Sequence, residues 1–455
     1  MEPAFDDPRL TSVLEKVRGG MRLDYDDGLA LYRTSDLLGL GYMANLVRER
    51  LHGNVTYFNV NRHINPTDVC VASCRLCAFG KKPKDPNAYT LSLEQVWEKA
   101  GQGWSDGITE FHIVGGLHPE LTLDWYCEML RGLKQRFPRV HLKALTMVEI
   151  AWLARRARIP VREAIELLVA AGVDSLPGGG AEIFSERVRR IISDHKISGA
   201  EWLEVARAAH QLGLKSNCTM LYGHLENEED RVDHLLRLRE LQDETGGFVA
   251  FIPLAFHPDN TPLRHIAPTT GFADLKNIAA ARLLLDNIPH IKAYWVMMTP
   301  RVAQIAQRFG ADDIDGTVVE ERIYHDAGAT TSQCLRRGEL LRLIREAGRE
   351  PVERDTLYRP VERSAAPRCG VHSGYYADNS DVPRPRSGGP GSGEKALPAD
   401  ADSEAGSQAD PRGGPGGAAV ACGLPEPALP QRAPRGRREG RRSRAPGRDR
   451  RPRSG

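Results

Sequence analysis

Three cysteines stand close together at a spacing suited to metal ligation. They are Cys70, Cys74 and Cys77, within the segment DVCVASCRLCAFG. Three thiolates on one short loop can bind three irons of a cubane-type 4Fe–4S cluster, because thiolate is the usual protein ligand of such clusters. The fourth iron would then receive no ligand from this loop. The spacing therefore predicts a 4Fe–4S cluster with one open coordination position.

An open iron allows a small molecule to bind the cluster directly. S-adenosylmethionine (SAM) can chelate such an iron through its amino and carboxylate groups, which places its sulfonium beside the cluster. One electron from the reduced cluster then breaks the S–C5′ bond and releases methionine and a 5′-deoxyadenosyl radical. The triplet therefore points to radical chemistry that starts from SAM.

A structural zinc site is the alternative interpretation of the same cysteines. Zinc prefers four tetrahedral ligands, usually supplied as two separated pairs. His63 could serve as a fourth ligand, although we expect it at the end of a strand. The single triplet favours the iron–sulfur interpretation, because the remaining cysteines are isolated: Cys127, Cys218, Cys334, Cys369 and Cys422.

The elements that must position the cysteine loop alternate between short apolar strands and amphipathic helices, from about Val55 to Val352. Single helices between successive strands imply parallel pairing, and about eight such units predict a TIM-type (β/α)8 barrel. An open doubly wound sheet is the alternative, weakened because no G-x-G-x-x-G follows the first strand. The predicted strands are TYFNV, EFHIV, VHLKAL, VDSLP, LKSNCTML, FVAFIPL, HIKAYWVM and DIDGTVV.

Composition divides the chain into three parts. Residues 1–53 are predicted to be a helical N-terminal segment, and residues 54–363 form the barrel. Residues 364–455 are rich in Pro, Gly and Arg and contain few large apolar residues, so we expect a disordered tail. The tail carries a net charge of +6 and the rest of the chain −4. Its arginines could contact nucleic acid, but a solvated tail or an out-of-frame extension is the favoured interpretation.

Whole-chain properties describe an ordinary globular protein. Hydrophobic residues make up 41% and charged residues 27% of the 455, and the net charge of +2 argues for neither nucleic-acid nor membrane partners. Eight cysteines do not form a disulfide scaffold. The N-terminus is acidic, so no signal peptide is expected, and no apolar run approaches the roughly 18 residues of a membrane span. We therefore expect a cytoplasmic enzyme; a zinc-stabilised binding protein that uses its basic tail on nucleic acid is the competing class.

Several segments closely resemble the aminofutalosine synthase family of radical SAM enzymes. The resemblance covers about Leu10 to Val361. Dehypoxanthine futalosine cyclase and the radical SAM subunits of deazaflavin-cofactor synthase share the barrel and the glycine triplet, and they are the alternative. GGLHPEL followed by HLKALTMVEI is most similar to the synthase. The other segments are NRHINPTDVCVASCRLCAF, DSLPGGGAEIF, TMLYGHLE, FIPLAFHPDNT and PVERDTLY.

This resemblance implies a reaction that consumes SAM as a co-substrate. The adenosyl radical adds through C5′ to the enol-ether double bond of 3-[(1-carboxyvinyl)oxy]benzoate. Rearrangement across the aryl ether, and loss of carbon dioxide or bicarbonate with one-electron re-oxidation, then give 6-amino-6-deoxyfutalosine, on a route to menaquinone. The electron for SAM cleavage would come from a donor such as flavodoxin or ferredoxin.

The resemblance and the positions at strand ends together suggest the residues that bind ligands. Lys143 is either a substrate contact or a snorkelling side chain at the barrel rim. Glu149 and Glu182 are either acids in the first turn of a helix or partners of SAM. Related loops often have an aromatic residue at Leu76, for which Phe79 could compensate, and Asn at Asp68. The predicted SAM contacts are Phe79, Gly115, Gly116, Glu149, Glu182, Tyr222 and Glu226, and the predicted substrate contacts are His118, Lys143, His257 and Asn260.

Overall fold

The computed structural model describes residues 5–102 and 107–363. The predicted tail, residues 364–455, lies outside this range. The strands are β1 Val55–Asn59, β2 Asn61–Ile64, β3 Glu110–Ile113, β4 His141–Ala144, β5 Ser175–Leu176, β6 Lys215–Tyr222, β7 Phe248–Ala255, β8 His290–Ile291, β9 Asp313–Gly316 and β10 Glu350–Glu353. The helices are α1 Arg9–Arg18, α2 Tyr25–Arg33, α3 Leu37–His52, α4 Leu93–Gly101, α5 Leu123–Arg136, α6 Met147–Ala157, α7 Val161–Ala171, α8 Glu186–Ile192, α9 Gly199–Gln211, α10 Glu228–Thr245, α11 Gly271–Leu284, α12 Trp295–Ala306, α13 Ile323–Asp326 and α14 Arg337–Glu346.

Parallel strands form the wall of the predicted barrel. Strands β2 to β8 make a seven-stranded sheet in sequence order, and β1 pairs with both β9 and β10. Single parallel bridges join Lys292 to Asp313 and Arg62 to Val319, so β9 and the residues after it are linked to both sides of the main sheet. The prediction of a parallel (β/α) barrel is therefore confirmed, with seven strands in the continuous sheet.

One predicted strand is mostly wrong. Within HIKAYWVM only His290–Ile291 is extended, and the helix α12 begins at Trp295. Trp295 and Val296 are completely buried, and the Trp295 indole donates a hydrogen bond of 2.9 Å to the Gly316 carbonyl. The first turn of α12, Trp295 to Met298, is buried and shows no polar face, so its short apolar run cannot be assigned to strand or helix from hydrophobicity alone.

The N-terminal segment is helical, as predicted, and its third helix packs against the barrel layer through α11. Asp24 and Asp27 form a capping box that starts α2. The guanidinium of Arg48 on α3 is fully buried and donates to the carbonyls of Gly53 (2.6 Å) and Ala311 (3.3 Å). These bonds satisfy backbone groups at the N-terminal ends of the strands.

A buried ion pair ties α11, β8 and β9 together at that end of the barrel. The Asp312 carboxylate accepts hydrogen bonds from the Arg282 guanidinium, from His290 Nδ1 (2.6 Å) and from the Ile291 N–H (2.8 Å). Arg282 and Asp312 have no exposed surface. Arg282 also binds the carbonyls of Gly310 and Pro289, so its charge cannot move to solvent.

We expect the Asp312→Asn variant to be strongly destabilised, because it leaves the Arg282 charge buried without a counterion. The expected loss of unfolding free energy is about 3–5 kcal/mol, measured by urea denaturation. The control is Asp233→Asn, which breaks a half-exposed pair with Arg237 and should cost less than about 1 kcal/mol. Equal stabilities of the two variants would contradict this account.

Candidate active site

A single large cavity of about 450 Å³ contains the cysteine loop and the carboxyl ends of several strands. Both apolar and polar residues line it. Val114, Val148, Leu221, Ile252, Leu254 and Phe256 form an apolar wall, and polar groups come from His63, His112, Lys143, Glu149, Glu182, Lys196, Asn217, Thr219, His257, Tyr294, Asp315 and Glu321. All three triplet cysteines line this same cavity.

The cysteine loop is held by backbone and charge contacts at its base. Cys70 N–H donates to the Lys81 carbonyl (2.8 Å), and Lys81 Nζ lies 2.8 Å from the buried Asp68 carboxylate. The other Asp68 oxygen accepts the Tyr89 N–H at 2.7 Å. Aspartate at this position thus closes the loop through an ion pair with Lys81.

The thiol groups have the surroundings that a thiolate-ligated cluster requires. Backbone N–H groups donate to two sulfurs, from Leu117 to Cys70 Sγ (3.4 Å) and from Gly80 to Cys77 Sγ (3.3 Å). Hydrogen bonds to sulfur are among the protein contacts that tune an iron–sulfur cluster. In the metal-free chain, burial raises the pKa of Cys74 to about 11 and also raises the pKa of Cys77. The three sulfurs therefore fit a 4Fe–4S cluster, because bound iron supplies the positive charge that buried thiolates need.

A glycine pair after β3 lets the backbone approach the cysteine loop. A Cβ at Gly116 would overlap the Val69 carbonyl oxygen and lie 3.1 Å from Cys70 Cβ. Gly116 N–H donates to the Thr67 carbonyl at 3.0 Å. Gly115 N–H donates to Glu149 Oε1 at 3.0 Å. The pair thus joins the cysteine loop to a buried acid.

Glu149 combines the two roles that the sequence left open. It occupies the third position of the capping box of α6, where Thr146 N–H donates to Glu149 Oε2 at 2.7 Å. It also lines the cavity and is only 4% exposed. Burial raises the pKa of Glu149 to about 7, despite the hydrogen bonds that favour its ionised form. A bound cation in the cavity would favour the carboxylate.

Glu182 forms an ion pair that sequence reasoning missed. Its Oε1 lies 2.6 Å from Lys196 Nζ, and both side chains line the cavity. The next helix begins only at Glu186, so Glu182 is not in the first turn of a helix, as one alternative supposed. Its φ of 49° turns the chain sharply after the glycine triplet. The sequence did not predict that Lys196 pairs with Glu182, because Lys196 is a single lysine in a segment with the composition of a protein surface.

Lys143 lies inside the barrel and not at its rim. Its ammonium is 2.6 Å from Glu110 Oε1, and the two side chains are 4% and 0% exposed. His257 also lines the cavity, where its Nε2 lies 3.0 Å from the Met297 carbonyl. Phe79 is 4% exposed and lines the cavity beside the cysteine loop.

Comparison with known proteins agrees with this geometry. Residues 64–238 match the radical SAM superfamily, and residues 245–366 match the CofH/MqnC C-terminal region. The chain is 50% identical over 359 residues to aminodeoxyfutalosine synthase of Thermus thermophilus, covering 78% of this chain and 96% of that protein. The same enzyme of Streptomyces coelicolor is 46% identical, with coverages of 78% and 94%. The chain belongs to the aminodeoxyfutalosine synthase family of radical SAM enzymes.

This family assignment settles the choice between iron–sulfur and zinc for the cysteine triplet. Members of the radical SAM superfamily bind a 4Fe–4S cluster and SAM. The fold also matches the crystal structure of methylornithine synthase with a TM-score of 0.61 at 17% identity, covering 74% of this chain and 97% of that one. None of the helices in residues 5–102 and 107–363 is long and apolar enough to cross a membrane.

Two residues predicted from the family motif to contact SAM do not line the cavity. Tyr222 faces the helix layer, where its hydroxyl donates to Asp274 Oδ1 at 2.8 Å, because alternation along β6 turns Leu221 inward. Glu226 accepts hydrogen bonds from the N–H groups of Gly223 (2.6 Å) and His224 (2.9 Å). Glu226 therefore stabilises the loop that follows β6 through hydrogen bonds within that loop.

Two of the predicted substrate contacts are also placed elsewhere. His118 Nδ1 accepts hydrogen bonds from the N–H groups of Glu120 (2.9 Å) and Leu121 (3.1 Å), and the side chain lies outside the cavity. Asn260 is exposed and donates through Nδ2 to the Asp326 carbonyl at 2.8 Å. Both side chains bond backbone groups outside the cavity, and no spacing rule in the sequence reveals these contacts.

Proposed function

We propose that this enzyme joins the adenosyl group of SAM to 3-[(1-carboxyvinyl)oxy]benzoate and releases one carboxylate, giving 6-amino-6-deoxyfutalosine for menaquinone biosynthesis. The observation that carries the proposal is the 50% identity to aminodeoxyfutalosine synthase along 96% of that protein. The cavity supports it, because the three cysteines and the ligand contacts proposed below all line it. All the ligand-binding residues proposed below lie in the segment 54–363, which we propose as the catalytic domain.

The chain's own residues bind and orient the two reactants. When bound, the reduced cluster and SAM supply the 5′-deoxyadenosyl radical, whose C5′ adds to the enol-ether double bond. Cys70, Cys74 and Cys77 hold the cluster. The SAM contacts that we propose from the cavity lining are Phe79, Gly115, Gly116, Glu149 and Glu182.

The two acids have a clear electrostatic task in this arrangement. The methionyl ammonium of SAM needs an anionic or carbonyl partner once it leaves water. Glu149 already holds the glycine pair through the Gly115 N–H and is poised by burial to gain a cationic partner. Glu182 is neutralised by Lys196 and is therefore better suited to accept a hydrogen bond from a hydroxyl.

The apolar wall of the cavity protects the reaction. With both reactants bound, the side chains of Val114, Leu221, Ile252, Leu254 and Phe256 would give the reacting carbon apolar surroundings that disfavour water. Lys143 and His257, which also line the cavity, are the remaining proposed substrate contacts. An electron donor such as flavodoxin or ferredoxin would reach the cluster from the loop side, where Gly80 is exposed.

Product analysis tests the proposed function. Cluster-reconstituted protein is incubated without oxygen with SAM, dithionite and the enol-ether benzoate, and products are identified by mass spectrometry. We expect an adduct that contains the adenosyl unit and has lost one carboxylate, and no such adduct when dithionite or the benzoate is omitted. Free 5′-deoxyadenosine without adduct would contradict the proposal and indicate a related enzyme that abstracts hydrogen.

A further inference from the structure

Three polar residues form one layer inside the barrel. His63 on β2 pairs in register with His112 on β3, which pairs in register with Lys143 on β4. Residues paired in this way on parallel strands point to the same face, and all three line the cavity. The two imidazole rings stack with centroids 4.5 Å apart and planes inclined by 14°.

The two imidazoles of this layer, of His63, which is buried, and of His112, which is half-buried, differ from other histidines of the barrel in having no hydrogen-bond partner. Within the described residues, no ring nitrogen of His63 or His112 takes part in a hydrogen bond. By contrast, ring nitrogens bind the Thr219 carbonyl in His234, Ser216 Oγ in His210 and Ser175 Oγ in His141. Buried polar groups are normally paired, so an adjacent unpaired couple that faces a cavity indicates a site for a polar ligand.

The layer offers hydrogen-bond donors that a carboxylate can accept, while the charge of Lys143 is already paired with Glu110. Burial lowers the pKa of both imidazoles, so each is neutral near pH 7 and offers one N–H donor. Lys143 adds an ammonium with three N–H groups, of which Glu110 Oε1 at 2.6 Å occupies one direction. Three donors from neighbouring strands therefore lie in one layer that lines the cavity.

We propose that His63, His112 and Lys143 bind the ring carboxylate of the benzoate substrate; this assignment rests on the proposed function. The layer lies nearer than the glycine pair to the N-terminal ends of the strands. Gly115 follows His112 by three residues, which corresponds to about 10 Å along a strand. The enol ether must lie at the SAM end, where C5′ is generated. The opposite end of the substrate, which carries the ring carboxylate, then reaches the polar layer.

The assignment also distinguishes the two carboxylates of the substrate. The one on the enol carbon is released in the reaction, whereas the one on the ring persists in the product. A site that holds the persistent group stabilises substrate and transition state alike. Weakening it should therefore raise KM more than it lowers kcat.

The test compares the substrate with its analogue [(1-carboxyvinyl)oxy]benzene, which lacks the ring carboxylate. We expect the wild-type enzyme to prefer the carboxylated compound by about 100-fold in kcat/KM, because the analogue leaves buried donors unpaired. The double variant His63→Gln/His112→Gln should lose at least about tenfold of this preference, mainly through KM. His141→Gln, a barrel histidine with its own Ser175 partner, is the matched control and should keep the preference.

A binding measurement makes the test independent of turnover. Calorimetry of 3-hydroxybenzoate with the purified protein should show binding to wild type and to His141→Gln, and at least about tenfold weaker binding to the double variant. If the double variant does not fold, Lys143→Met combined with Glu110→Gln replaces it, since that pair avoids an isolated buried charge.

The outcomes separate this inference from the proposed function. Unchanged preference and unchanged 3-hydroxybenzoate affinity in a folded variant would overturn the carboxylate site. An equal loss with both compounds would also overturn it, since it would indicate a general structural role. If wild type forms no adduct but binds 3-hydroxybenzoate through these residues, the proposed reaction fails and the anion site stands.

Discussion

Replacement of Cys74 by alanine is expected to reduce adduct formation by more than about 10³-fold, because a cluster that lacks one of three ligands does not hold SAM beside iron. Cys74 lies between the other two ligands in the chain and lines the cavity next to Lys196 and Glu182. The backbone of the loop is anchored independently, through the Arg75 N–H to the Ile192 carbonyl at 2.8 Å. The substitution should therefore remove the ligand without unfolding the loop.

The measurement combines iron and sulfide analysis with the product assay. We expect the Cys74→Ala protein to contain less iron and to produce neither the adduct nor 5′-deoxyadenosine. The matched control is Cys334→Ser, a partly buried cysteine that does not line the cavity, and it should behave like wild type. A Cys74→Ala protein with a full cluster and normal SAM cleavage would show that this residue is not a ligand.

Replacement of Gly116 by alanine is expected to lower activity by about 100-fold or more, although no ligand is removed. The new methyl group would overlap the Val69 carbonyl oxygen and press on Cys70 Cβ. The cysteine loop must then move away from β3, which breaks the Val71 N–H to Leu117 carbonyl bond of 3.0 Å. Displacements of about 1 Å in an active site commonly cost about 10²-fold in rate.

The control for this prediction is another glycine of the same cavity. A Cβ at Gly179 would meet only the Thr146 methyl carbon, at 3.2 Å, so Gly179→Ala should cost much less activity. Cluster content separates the possible causes, because Gly116→Ala should reduce bound iron or alter the cluster's electron paramagnetic resonance signal. Equal activities of the two variants would contradict the role given to the glycine pair.

The cluster site and the barrel class could be predicted from short segments of the sequence. The spacing of three cysteines within eight positions predicts that they bind a cluster. This prediction needs no knowledge of the fold, because one short loop is enough to hold the three thiolates together. The strand–helix alternation likewise predicted the parallel barrel, since each element depends on its own periodicity. The glycine pair was predicted from its position at a strand end, and the cavity contains it.

The ion-pair partners of the buried charged residues could not be predicted from the sequence. Lys143 is neutralised by Glu110 on the neighbouring strand, and Glu182 by Lys196 after α8. Neither pairing follows a fixed sequence spacing, because strand register and loop path bring the groups together. The direction of Tyr222 was missed for a related reason, since alternation shows that Leu221 and Tyr222 oppose each other but not which one faces inward.

The sequence by itself therefore determined the barrel class and the family and predicted the cluster ligands, because these depend on residue type and local spacing. Only the tertiary structure decided which strand residues share a layer. His63 and His112 are separated by 49 positions, yet register places their rings in contact and leaves both without a partner. Such a layer arises from the register between neighbouring parallel strands, which is fixed by inter-strand hydrogen bonds that no local pattern encodes.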